Sequence, residues 1–288
     1  MILFVAIETL ALAAIVMPPF LSPVSDRKVD EFAAASGIRV TPATRPFLAW
    51  YLTTGRRLRM LLVVAALFLP NLVQAVLGVG GNRWGDTPLS WQLVFAACLA
   101  GTLLAELALT RPSGAHHTAS LVPREPAAYL GRVLRWGPTV VGLVGAAVWA
   151  AVPALPDPRG GWDLSPVTSA AIGVALGLAV AGLAPLTARW ILRRPQPVAA
   201  DDLVLADHAV RAASVRSVAA VATLMGLLNL AGGLALYTRP FAGSADTVLA
   251  VAVIALLAAA LVAWGARKPG EAPIVRALRS PSRGGAAR

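Results

Sequence analysis

Of the 25 Lys and Arg residues in this chain, three (Arg83, Arg159 and Arg239) stand in every second interval between its long apolar runs. The other 22 all fall in the remaining intervals, or within two residues of them. The runs are 1–20, 58–79, 89–109, 136–152, 167–187, 215–237 and 247–264. A bilayer core ~30 Å thick takes ~20 apolar residues as a helix, and lipid offers backbone groups no partner outside the helix itself. Loops rich in Lys and Arg stay on the cytosolic side. The alternation therefore predicts an all-α, polytopic membrane helix bundle. It has seven transmembrane helices, its N-terminus outside and its C-terminus in the cytosol. The fourth and seventh runs have 17 and 18 residues. Such short spans tilt little, or borrow flanking residues such as Gly265.

Composition points the same way. The chain is 57% hydrophobic and 14% charged, against roughly 25% charged for a soluble domain. The first run has no basic start, and Met17-Pro18-Pro19-Phe20 is no small-x-small cleavage site, so it reads as a retained helix. Cys98 is the only cysteine, which excludes a disulfide framework or a cysteine metal site within one chain. Trp84, Trp91, Trp149 and Trp162 fall at the outer ends of spans, and Trp50, Trp136, Trp190 and Trp264 at the inner ends. All eight are expected as interfacial anchors of an aromatic belt.

Eight acids share the basic side: Asp26, Asp30, Glu31, Glu125, Asp201, Asp202, Asp207 and Glu271. With the 22 cations they leave a net +14, which predicts attraction to anionic lipid at that face. Nucleic acid is not expected as a partner. The cations are spread over four segments, and the positive-inside rule accounts for them.

The expected organisation is a bundle over 1–265, with cytosolic segments 21–57, 110–135 and 188–214. A disordered basic tail over 266–288 follows. After the first helix the chain reads as three tandem helix hairpins, since basic stretches at Tyr51, Tyr129 and His208 each precede a span. Tyr51 to Tyr129 is 78 residues, and Asn71 to Asn229 is 158. Parallel repeats would give such intervals, and so would any hairpin-rich membrane protein. Within 21–57, Ser25 is placed to cap a helix over residues 26–36 that Gly37 stops. Thr44 is expected to cap a second, with Pro46 in its first turn.

The run Phe32-Ala33-Ala34-Ala35-Ser36-Gly37-Ile38-Arg39-Val40-Thr41-Pro42, with Pro46, Tyr51-Leu52 and Arg56-Arg57, resembles a run in uncharacterised multi-spanning membrane proteins of actinobacteria. So does Arg194-Pro195-Gln196-Pro197, followed by Asp201-Asp202, Asp207 and Arg211-Ala212-Ala213-Ser214. The resemblance implies a multi-pass protein of a bacterial plasma (inner) membrane. It implies no activity.

No Walker A, Gly-x-Ser-x-Gly or His-Glu-x-x-His pattern is present. No catalytic residue, cofactor or metal site is expected. His116-His117 reads as a solvated loop pair. Asp201-Asp202, with Asp207-His208, has the residue types of a cation site, but Asp201 or Asp202 reads better as a helix cap. Glu106, near the inner end of its span, is expected to reach the interface and meet Arg111. Glu8 lies seven residues into its run, ~10 Å deep at ~1.5 Å per residue. Asn71, Gln74 and Asn229 fall at matching depth, so these four polar residues are expected to converge in the outer half. An acid among amides serves either as interhelical glue or as a proton-coupled binding site. Ser169, Gly173, Gly177 and Ala181, at four-residue spacing, form a smooth face for close helix packing.

The functional expectation is a non-enzymatic membrane component of accessory or scaffold type. It acts with a protein partner through 21–57 and 188–214, or by self-association. The alternative is a small secondary transporter, proton-coupled through Glu8.

Overall fold

The computed structural model describes residues 22–77, 97, 100–108, 117–118, 125–154, 166–194, 196–197, 201–238 and 273–275. Apart from one two-residue antiparallel pairing, of His117–Thr118 with Gln196–Pro197, the regular structure among them is helical. Helix α1 is Asp26–Ser36. Val29, Phe32, Ala33 and Ser36 recur at helical spacing, and three of the four are buried. Ser25 is extended, as an N-cap requires, although its side chain makes no capping bond. Gly37 takes the left-handed conformation at φ 71°. Its N–H and that of Ile38 donate to the carbonyls of Ala34 and Ala33, which closes the helix as a Schellman turn.

Helix α2, Thr44–Leu77, runs on unbroken for 34 residues. Its cap is Thr41, not Thr44 as expected from sequence. The Thr44 N–H donates to Thr41 Oγ1, and the Thr41 N–H donates to Thr44 Oγ1. Two orphan donors are thereby satisfied reciprocally, with Thr in the place that Glu or Gln usually fills. The helical stretch 100–108 crosses α2 closely. A Cβ on Gly101 would come 2.6 Å from Arg59 Cα.

Three helices form the tightest part of the bundle. They are α3 (Arg132–Ala151), α4 (Pro166–Arg193) and α5 (Asp201–Thr238). Among the described residues these three are long and apolar enough to cross a bilayer, and the chain is a membrane protein. Helices α3 and α4 meet backbone to backbone. A Cβ on Gly177 would stand 2.6 Å from the Gly142 carbonyl oxygen, and one on Gly142 would stand 2.6 Å from that of Gly177. Helix α5 closes the triangle, with Gly226 against Val141 and Gly233 against Val148 and Trp149.

Trp149 corrects an expectation. Rather than anchoring at an interface it is 3% exposed, and its Nε1 donates to the Asn229 carbonyl at 2.7 Å. Gly173 makes room for its ring, because a Cβ there would fall 2.1 Å from ring carbons. Trp50, Trp136 and Trp190 are exposed. So are Val133, Val140, Leu143 and Val144 on α3, and Leu178, Leu183 and Leu186 on α4. Lipid replaces water on these faces, so outward apolar side chains carry no penalty.

Arg132, Arg193, Arg194 and Arg211 share one end of the bundle, its basic end. Here α1 and the first turns of α2 pack on α5: Val29, Ala33, Leu48 and Tyr51 form one cluster with Ala206 and Val210. A second cluster joins Tyr129, Leu130, Ile191, Leu192 and Val215 to Ile274 and Val275. Within the run 266–288, expected as a disordered tail, residues 273–275 are helical and Ile274 and Val275 dock in the core. The rest of that tail lies outside the described residues.

Candidate functional site: a buried charge cluster at the basic end

Helix α4 ends at Arg193, and its last carbonyls need donors that the helix cannot supply. Arg211, two turns and more into α5, supplies them. Its Nη1 donates to the carbonyls of Arg194 at 2.7 Å, Leu192 at 3.2 Å and Ile191 at 3.5 Å. The cation also sits at the negative end of the α4 dipole, which favours it. Its Nε donates to Asp207 Oδ2 at 2.7 Å, one helical turn back.

Asp207 bridges two guanidinium groups. Arg194 Nη2 donates to its Oδ1 at 2.6 Å, while Arg194 Nη1 donates to Glu106 Oε2 at 2.8 Å. The other Glu106 oxygen accepts from the Ser214 hydroxyl. That hydroxyl has one proton, so Tyr51 must be the donor in its 2.7 Å bond to Ser214 Oγ. Four elements thus meet: α2 through Tyr51, the stretch 100–108 through Glu106, the end of α4 through Arg194, and α5 through Asp207, Arg211 and Ser214. Nearby, the Tyr129 hydroxyl lies 2.8 Å from His208 Nδ1.

Arg211 is 0% exposed and Glu106 1%. Removing an ion from water costs several kcal/mol even after relaxation, so charges at such depth persist only when paired and hydrogen-bonded. Here two carboxylates face two guanidinium groups, and every carboxylate oxygen has a donor. Burial, with the Glu106 charge adding to it, pushes the Tyr51 hydroxyl up to about 12. Its phenol is therefore a neutral donor at any physiological pH. The arrangement is chemically closed: each carboxylate that might act as a base is held by a cation.

The cluster revises the expected role of Glu106, which turns inward to Arg194 and Ser214 rather than out to the interface. Asp201 and Asp202 open α5 and are exposed, whereas Asp207 and His208 are buried, so the four do not form one group. Among the described residues, no group of three or more His, Cys, Asp or Glu side chains is placed to hold a metal ion.

Of the polar residues expected to converge, Glu8 lies outside the described residues. Asn71 and Gln74 lie in the last turns of α2, but their side chains are also outside. Asn229 is buried in α5 and donates from Nδ2 to the Gly173 carbonyl at 2.9 Å. Its backbone carbonyl takes the Trp149 bond, so one residue ties α3, α4 and α5 together. Ser169, Gly173, Gly177 and Ala181 are all buried on α4. Gly173 and Gly177 oppose Trp149, Gly142 and Ala146 of α3. The Ser169 hydroxyl has no hydrogen-bond partner among the described residues.

The cluster was not read from sequence. One local signal existed: Asp207 and Arg211 stand four apart on one helix face, acid first, the favourable order. No family model matches the chain, and no curated protein or solved structure is similar to it.

Proposed function

We propose that this chain is a multi-spanning scaffold of a bacterial plasma membrane. It has seven spans, an external N-terminus, a cytosolic C-terminus and its basic end in the cytosol. The function is to hold a rigid platform for a protein partner. The observation that carries the reading is the packing of α1 and the start of α2 onto the first turns of α5. Segments 21–57 and 188–214 thereby become one block. The charge cluster beneath it satisfies itself, so the block has its outer surface to offer, not an interior site.

The α1 outer face is charged but balanced. Arg45 bridges Asp26 and Asp30, each at 2.9 Å, and Arg27 pairs with Glu31. Exposed pairs of this kind add little stability, but they set a fixed pattern of alternating sign that a partner can match. The test is a photo-crosslinking residue at Ala34, which is exposed on α1, in cells of the source organism, with Leu183 as the lipid-facing control. One discrete protein adduct at Ala34, absent at Leu183 and lost on Asp30→Lys, supports the scaffold. Lipid adducts alone, together with a proton flux abolished by Glu8→Gln, would make the chain a transporter instead.

A further inference from the structure

The arginines of the basic end are not all paired alike. Arg27, Arg45, Arg194 and Arg211 each have a carboxylate partner. Arg132 and Arg135 in the first turn of α3, and Arg189 and Arg193 in the last turns of α4, have none among the described residues. All four are exposed. Helices α3 and α4 contain no acidic residue at all, and Glu125 is the one acid in the described stretches 125–154 and 166–194.

The register brings Arg132 and Arg189 to one level, with Arg135 about one turn toward the middle of the helices and Arg193 about one turn toward their ends. Thr139 Oγ1 donates to the Ala181 carbonyl, and Gly142 opposes Gly177, in an antiparallel pair. Each step toward the start of α3 is therefore matched by a step toward the end of α4. Trp136 and Trp190 stand beside the cations, with Arg135 over the Trp136 ring at 5.4 Å. Toward the middle of the two helices come exposed Val140, Leu143 and Val144 on α3, and Leu183 and Leu186 on α4. A cationic rim, then an aromatic ring, then a bare apolar wall is complementary to an amphiphile with an anionic head.

We propose that the outer groove between α3 and α4 at the basic end binds an anionic phospholipid. The phosphate sits between Arg132 and Arg189, with Arg135 and Arg193 flanking them, and the acyl chains lie along Leu143 and Leu186. Guanidinium groups suit phosphate because their donors form a planar fork. The apolar wall distinguishes a lipid from a free anion. This inference rests on α3 and α4 spanning the bilayer, not on the scaffold role, and the α1 crosslinking result does not bear on it.

The test is native mass spectrometry of the full chain released from detergent. The probes are phosphatidylglycerol and phosphatidylcholine, each added separately, and inorganic phosphate added in competition with phosphatidylglycerol. Wild type should retain phosphatidylglycerol in preference to phosphatidylcholine. The exposed double variant Arg132→Gln/Arg189→Gln should lose at least about tenfold in that retention, at ~1 kcal/mol per cation near the surface. Lys28→Gln, a cation on α1 away from the groove, should not. Equal retention by the double variant and wild type, with unchanged thermal unfolding, overturns the site. Equal retention of the two lipids overturns the charge argument, and inorganic phosphate displacing the lipid outright would reduce the groove to an anion site.

Discussion

Arg211 is fully buried, yet it makes two kinds of bond at once: to a carboxylate on its own helix and to the frayed carbonyls of another. Removing one member of a buried ion pair strands the other, which costs about 3–5 kcal/mol. Arg211→Met should therefore destabilise the protein by about that much in detergent unfolding. Adding Asp207→Leu should recover only part of the loss, because the α4 carbonyls remain uncapped. A cost under about 1 kcal/mol for Arg211→Met would mean that the cap is unimportant. Tyr51 offers a pH readout. Its folded pKa, about 12, lies above the ordinary value of 10.0, so folding favours the neutral phenol. That contribution is complete below pH 10 and is lost as pH rises toward 12. The wild-type melting temperature should thus fall more steeply across this window than that of Tyr51→Phe, and parallel curves would contradict it. Apart from the four-residue spacing of Asp207 and Arg211, none of these pairings was legible in the sequence. Glu106 and Ser214 are 108 residues apart, and nothing local tells an acid near a span end to turn inward.

At the scale of elements, local chemistry was a better guide. The Schellman turn at Gly37 and the four-residue spacing on α4 follow from sterics that act within a few residues. Gly177→Leu should separate α3 from α4, since even a Cβ there meets backbone at 2.6 Å. Lower thermal stability and a broadened elution profile would report it, and an unchanged protein would place that face against lipid. Trp149→Phe should cost about 1–3 kcal/mol, because it leaves the Asn229 carbonyl without its indole donor. A neutral result would show the bond to be dispensable. The misplacement of Trp149 has a physical cause. Lipid and protein core are equally apolar, so hydropathy locates a tryptophan along a span but not around it.

For the whole molecule, the charge partition makes the firmest prediction. Reporters placed after Arg288 and near His116 should read cytosol, and one at Gly160 should read outside. Reversal at any of them would break the seven-span order, most directly through the short runs 136–152 or 247–264.

Helix α5 carries a mechanical consequence. Its 38 residues span ~57 Å at ~1.5 Å each, and a hydrocarbon core takes up only ~30 Å of that. Roughly half of the helix is therefore a mast standing clear of the acyl chains, with α1 lashed to its tip. A change in bilayer thickness that leans the embedded half by ~10° swings a ~27 Å arm through ~5 Å. A spin label on Ala34, with its distance to labelled lipid headgroups measured in thin and thick nanodiscs, would register that swing against the membrane plane. Local lipid composition would then become a position in space, read at α1 by whatever stands beside it.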